Sequence, residues 1–205
     1  MSSPVDVEVL ISTFVTLLVI MDPPGILPVF LGLTKSLTHR QRVAAARRAS
    51  LVALGVITAF ALFGQQILQY LHISLPALQG AGGLLLLLVA LELLTGKESE
   101  QHADVGVNVA MVPLGTPLLA GPGAIVATML GVQKAHTAGQ YSAVALALLG
   151  ALVVVWLFLR FASRVHGLLR DSGTTLLTRI AGLLLSAIAV QMLANSVRAF
   201  VMGEG

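Results

Sequence analysis

One carboxylate lies deep inside an apolar run of this sequence. Asp22 stands in Ile20-Met21-Asp22-Pro23-Pro24-Gly25-Ile26-Leu27-Pro28, within a hydrophobic stretch that extends from near Val9 to about Leu33. A second interruption follows about 100 residues later, at Pro113-Leu114-Gly115-Thr116-Pro117-Leu118-Leu119-Ala120-Gly121-Pro122-Gly123-Ala124. An ionisable group at membrane depth is expensive and by default functional. A proline inside a helix removes a backbone hydrogen bond and clashes with the preceding turn. In hydrocarbon the freed groups must be satisfied by protein, water or ligand. Interrupted hydrophobic segments in corresponding positions of two halves are expected where a transporter places its substrate.

The two interruptions differ in chemistry. Asp22-Pro23 reads as a helix start, with Asp as N-cap and Pro at the first helical position. The first span then ends one half-helix near Ile20 and begins another at Asp22. At ~1.5 Å per residue, Asp22 lies about 20 Å in from the start of the span, near the midplane or just beyond it. At the second interruption Gly121 caps without a side chain and Pro122 opens the next half-helix, while Gly115, Thr116 and Pro117 loosen the backbone before it. Each restarted helix aims N–H groups and a positive dipole end into the protein. The first break adds a carboxylate, whereas Ala120 occupies the matching place at the second.

A zwitterion suits such a pair, with its ammonium toward Asp22 and its carboxylate toward the amides of Gly121 to Ala124. Three roles for Asp22 stand open: a cap for its half-helix, a ligand for an amine, or a carrier of the coupling H+ or Na+. The Thr116 hydroxyl either meets a ligand or bonds back to its own helix. The candidate substrate-binding set is Asp22, Pro24, Gly25, Thr116, Pro117, Gly121, Pro122 and Gly123. No cofactor or metal site is expected beyond a coupling ion.

These residues need a membrane scaffold. The chain is 57% hydrophobic and 10% charged, against about 25% charged in soluble domains. Such a chain has too little polar surface to cover itself, so a single integral membrane domain over residues 1–205 is expected. A helix needs about 20 apolar residues to cross a bilayer. Six segments qualify, at about Val7–Leu33, Val43–Leu71, Pro76–Leu94, Val105–Val132, Gln140–Phe161 and Leu176–Val201. The first lacks the basic leader of a secretory signal and reads as a retained span. Pro76 marks a helix start with Ser74 as its cap. The expected fold is therefore all-α, with six transmembrane helices, the first and fourth broken at the Pro/Gly motifs.

Charge orients the spans. Lys35, Arg40, Arg42, Arg47, Arg48, Lys97, Arg160, Arg164, Arg170 and Arg179 fall on one side, and only Lys134 and Arg198 on the other. Excess Lys and Arg marks the cytoplasmic face, so both termini are expected outside. Because the basic residues are segregated in this way, the basic balance does not argue for nucleic acid. Tyr70 and Tyr141 fall near outer helix ends, where aromatic rings anchor. The halves, about 1–100 and 101–205, also match in places. Pro24-Gly25 meets Pro122-Gly123 at a shift of 98, and Gly83-Leu84-Leu85 meets Gly182-Leu183-Leu184 at a shift of 99. Three spans per half make the second half enter from the opposite side, an inverted repeat.

Other polar residues read more simply. Glu92 lies near a cytoplasmic helix end, and Gln65, Gln66, Gln191 and Asn195 read as interfacial. Arg160 is expected to snorkel, and the glycines outside the breaks are close-packing positions. Catalysis is not expected. There is no cysteine, an intramembrane aspartyl protease needs two aspartates at depth, and no Ser–His pair or P-loop is present.

At Met21-Asp22-Pro23-Pro24-Gly25-Ile26-Leu27-Pro28-Val29-Phe30 and Val112-Pro113-Leu114-Gly115-Thr116-Pro117-Leu118-Leu119-Ala120-Gly121-Pro122-Gly123-Ala124-Ile125 the chain resembles the MarC (UPF0056-type) family over essentially its whole length. The resemblance implies a multi-pass plasma-membrane protein of bacteria or archaea with two inverted three-helix repeats. It also implies kinship to transporters of small neutral amino acids such as glycine and alanine. By that resemblance Asp22, Pro24, Gly25, Pro117, Gly121, Pro122 and Gly123 line the central site. Thr116 departs from the family's usual apolar residue, which leaves substrate choice open. The partners implied are a small-molecule substrate and the bilayer; oligomeric state is not legible. A LysE-like exporter of another metabolite is the alternative within transport, although its Pro-Gly-Pro motif near the N-terminus is missing. A non-transporting membrane protein is the alternative outside it.

Overall fold

The structure, a computed structural model, describes residues 5–34, 37–95 and 119–203. Every regular element among them is an α-helix: α1 Val7–Met21, α2 Pro23–Leu33, α3 His39–Tyr70, α4 Leu75–Thr95, α5 Pro122–Lys134, α6 Ala138–Arg160 and α7 Ala162–Val201. Local sequence accounts for most of the starts. Asp6 caps α1 by accepting from the Val9 N–H at 3.2 Å. Thr38 and Gln41 form a reciprocal capping box at the head of α3. Ser74 Oγ accepts from the Ala77 N–H at 3.4 Å, and Thr137 Oγ1 accepts from the Gln140 N–H at 3.3 Å. Such caps satisfy orphan donors of the first turn.

Among the described residues, five helical stretches are long and apolar enough to cross a membrane: Val7–Leu27, which includes the turn at Asp22, His39–Tyr70, Leu75–Thr95, Ala138–Arg160 and Thr175–Val201. The fourth expected span is represented by α5, whose 13 residues cover about 20 Å, short of the ~30 Å hydrocarbon core. The rest of that span, including Thr116 and Pro117, lies outside the described residues. Two helices overrun their expected spans. α3 starts a turn before Val43, so its 32 residues extend about 48 Å. The stretch expected as a loop before Leu176 is instead the first part of the 40-residue α7. No proline falls between Ala162 and Val201, so nothing in that stretch forbids helix.

Helix ends meet in two groups. At one end the Asp6 N–H donates to Gly139 O at 3.2 Å, Gln140 Nε2 donates to Asp6 Oδ2 at 3.4 Å, and Ser196 Oγ donates to Pro76 O at 2.7 Å. At the other, Arg42 Nη1 donates to Ser163 Oγ at 2.8 Å and Nη2 to Thr34 O at 3.2 Å. Each group joins helix ends that the charge pattern puts on the same side.

Packing relies on small residues. One core cluster joins Leu17, Met21, Leu27 and Phe30 to Ala46, Ala49 and Ala53 of α3 and Ala151 and Val155 of α6. A second joins Leu86 and Ala90 of α4, Val126 and Leu130 of α5, and Leu185 and Ala189 of α7. Large apolar side chains such as Leu62 and Leu183, each 63% exposed, face outward. With lipid outside, helix contact depends on close van der Waals fit. The α4–α7 contact shows this in a reciprocal form. A Cβ on Gly83 would lie 3.0 Å from both Ala189 O and Leu193 Cγ. A Cβ on Gly182 would lie 3.3 Å from Ala90 O and 3.2 Å from Leu94 Cγ. Shifting the first set of residues by 99 positions gives the second set with the helices exchanged.

Candidate functional site at the paired helix breaks

The first break is a single residue wide. Asp22 takes a left-handed conformation, φ 37 and ψ 68, between α1 and α2. Its N–H donates to Leu18 O and its carbonyl accepts from the Ile26 N–H, both at 3.1 Å. Both backbone groups of Asp22 itself are thus hydrogen-bonded. Left-handed backbone is costly for most side chains, but Asp tolerates it as an isolated residue.

Asp22 occupies the N-cap position of α2, yet its side chain makes no cap hydrogen bond. The physical reason lies in the prolines. A cap accepts from the second or third helical N–H, and the second position is Pro24, which has none. Gly25 then carries the sole N–H of the first turn that the helix leaves without an intrahelical acceptor. The carboxylate sits over that residue: a Cβ on Gly25 would overlap Asp22 Oδ2 and lie 3.0 Å from Thr178 Oγ1. Glycine is required at 25 for this close approach. Asp22 is 7% exposed, and Met21, Ile26 and Leu27 around it are buried.

The second motif, of which the described residues hold the helix start, has different geometry. Gly121 caps α5 with φ −59 and ψ 158, a conformation open to any residue, and Pro122 takes the first helical position. The Ala124 N–H donates to Gly121 O at 3.1 Å and the Ile125 N–H to the same oxygen at 3.2 Å. The amide set expected to receive an anion therefore narrows from Gly121–Ala124 to Gly121 and Gly123, because Pro122 has no N–H and that of Ala124 is engaged. Among the described residues, a Cβ on Gly121 would meet no atom within 4 Å, whereas one on Gly123 would overlap Leu86 and lie 3.2 Å from Ile20 Cγ2.

The breaks adjoin each other. Ile20, two residues before Asp22, touches the turn at Gly123, and Leu119, Ala120 and Ala124 share one buried cluster with Leu17, Met21, Ile26 and Leu27. Of the expected set, Asp22, Pro24, Gly25, Gly121, Pro122 and Gly123 fall at this junction; Thr116 and Pro117 are outside the described residues. Glu92 and Gln191 are exposed, and Gln191 Nε2 donates to Asn195 Oδ1 at 3.0 Å.

Thr178, which brings a hydroxyl to the first break, was not singled out from the sequence. The available signal was register: Thr178 and Gln79 match at the shift of 99, and Gln79 is itself buried on α4. Among the described residues no cluster of His, Asp and Glu could hold a metal ion. A separate cleft of about 920 Å³ lies between α3, α5 and α6. It includes neither break, and exposed apolar residues such as Leu51, Leu62 and Leu149 line it, a surface suited to lipid chains and not to a zwitterion.

Known proteins share this sequence pattern. A family model described as "MarC family integral membrane protein" matches residues 7–201. UPF0056 membrane protein MJ1677 of Methanocaldococcus jannaschii is 40% identical over 201 residues, covering 94% of this chain and 98% of its own. UPF0056 membrane protein YvbG of Bacillus subtilis is 30% identical over 194 residues, covering 90% and 92%. UPF0056 membrane protein YhcE of Escherichia coli is 30% identical over 210 residues, covering 97% and 96%. No solved structure matches.

Proposed function

The chain belongs to the MarC family of integral membrane proteins, and on that premise we propose that it is a secondary transporter of small neutral amino acids or similar zwitterions. The observation that carries this reading is the junction of two helix starts of opposite character. One holds a carboxylate at Asp22 over the first turn of α2; the other offers the glycine amides at the head of α5. An ammonium and a carboxylate held a few bonds apart would bridge them, with Thr178 as a further hydroxyl at the first break. Oriented backbone groups and the positive helix end favour the anionic part of the substrate.

The architecture proposed is six spans in two inverted three-helix repeats, in the plasma membrane with both termini outside. The reciprocal glycine contacts of α4 and α7 support the repeat, because a pseudo-twofold axis makes each contact recur with partners exchanged. Transport then proceeds by one bundle moving against another around the fixed site, driven by a gradient of H+ or Na+.

The test is uptake of labelled glycine or alanine into proteoliposomes under an imposed proton or Na+ gradient, with Asp22→Asn in parallel. Gradient-dependent uptake that fails in the variant is the expected result. Absence of uptake under every gradient, from folded protein, would remove this reading and leave export of another metabolite or a non-transporting role.

A further inference from the structure

A second polar site lies away from the breaks. A cavity of about 340 Å³ opens where the head of α3 meets the α6–α7 junction, and its walls include Arg40, Arg42, Arg160, Phe161, Ser163 and Arg164. Four arginines from three helices thus line one small space. Arg42 is pinned: Nη1 donates to Ser163 Oγ at 2.8 Å and Nη2 to Thr34 O at 3.2 Å, while its Nε is buried with no hydrogen-bond partner. Arg160 lies 5.0 Å from the centre of the Trp156 ring and 5.7 Å from that of Phe161, and Arg164 lies 5.8 Å from Phe161. Among the described residues, no carboxylate is a partner of Arg42, Arg160 or Arg164 in these contacts.

Like charges gathered this way repel. A multivalent anion with several acceptor oxygens relieves it, and the planar guanidinium fork matches phosphate oxygens in pairs. The surroundings point to the source of that phosphate. Arg160 lies one helical turn past Leu157 and two past Val153, and both are exposed apolar residues, as is Leu51 on α3. A headgroup held at the cavity would have apolar helix faces beside it for its chains. Basic pockets between membrane helices at the cytoplasmic surface take lipid headgroups in this manner, and the charge pattern assigns this end to the cytoplasm.

We propose that the cavity at the α3 and α6–α7 junction binds the phosphate headgroup of an anionic phospholipid. Arg42 is the fixed element, Arg160 and Arg164 close over the phosphate, and the acyl chains lie along α3 and α6. The site involves no residue of the helix breaks, so it stands independently of the transport reading.

The experiment uses the full chain purified from a membrane in mild detergent. Co-purifying lipid is identified by mass spectrometry, and thermal unfolding is followed after adding phosphatidylglycerol, phosphatidylcholine, or inorganic phosphate. Arg160→Gln/Arg164→Gln is the main variant, because it spares the Arg42 bonds to Ser163 and Thr34. Lys134→Gln/Arg198→Gln, at the opposite end, is the control. The expected result is retained phosphatidylglycerol with the native chain, a several-fold loss in the main variant and none in the control. Phosphatidylglycerol should raise the unfolding temperature of the native chain, while phosphatidylcholine and inorganic phosphate should not. Equal retention in all three proteins, an equal loss in the control, or equal stabilisation by inorganic phosphate would overturn the proposal.

Discussion

The helix starts after Asp22 and after Gly121 are built by different means. At the first, a carboxylate-bearing residue takes the left-handed conformation itself, and two successive prolines strip the next turn of donors. At the second, a glycine stands in the ordinary extended region and one proline follows. Glycine's freedom is thus not used where glycine stands at the cap, and a strained conformation is held where aspartate stands. The difference teaches that the first site is built around a side chain and the second around glycine backbone. Gly25 fits this division, since its missing Cβ is the space the Asp22 carboxylate fills.

The largest expected effect comes from removing that charge. Asp22→Asn keeps a residue type tolerated in left-handed backbone, so the fold should survive in thermal unfolding. Uptake of glycine or alanine should fall roughly 10–100-fold, as expected for loss of a charge-assisted hydrogen bond. Unchanged uptake would make the first break purely structural and erase the contrast. Next is Gly25→Ala, whose Cβ must displace the carboxylate. It should lower stability by about 1–3 kcal/mol, the usual cost of overpacking, and reduce uptake as well. Adding Asp22→Gly should recover much of the stability but none of the uptake, and a double-mutant cycle reads that coupling.

A third pair tests symmetry elsewhere. Gly83→Ala and Gly182→Ala each push a methyl toward a backbone carbonyl of the facing helix. Both should cost about 1–3 kcal/mol, and the two unfolding temperatures should drop alike. A large inequality would mean that the two α4–α7 contacts are not energetically equivalent. The smallest effect is expected at the second break. Gly121→Ala fits the observed φ of −59 and should leave the unfolding temperature unchanged or raise stability by about 0.4–1 kcal/mol, by restricting the unfolded chain. A loss of uptake in that stable variant would mark the space beside Gly121 as part of the substrate path.

Much of this was legible in the sequence because its causes are local or compositional. The low charge and long apolar runs required a membrane, and Pro23, Pro24 and Pro122 had to interrupt or start helices wherever they fell. The cap at Ser74 and the helix start at Pro76 followed from residue type. Two expectations did not hold. Asp22 does not cap with its side chain, because Pro24 removes a donor it would have used. The stretch before Leu176 is helix and not loop, since a basic, proline-free segment has no local obligation to stop.

The sequence by itself determined that a helix would break at Asp22-Pro23 and that another would start at Pro122, because proline's missing N–H and fixed φ act without any partner. It also determined which ends carry positive charge. Only the tertiary structure decided that the two breaks adjoin through Ile20 and Gly123, that Thr178 approaches Gly25, and that Arg42, Arg160 and Arg164 share one cavity. Those juxtapositions depend on how closely whole helices approach, which is set by small residues meeting across α4 and α7 and across α3 and α6, and a linear order of side chains does not specify distances between them.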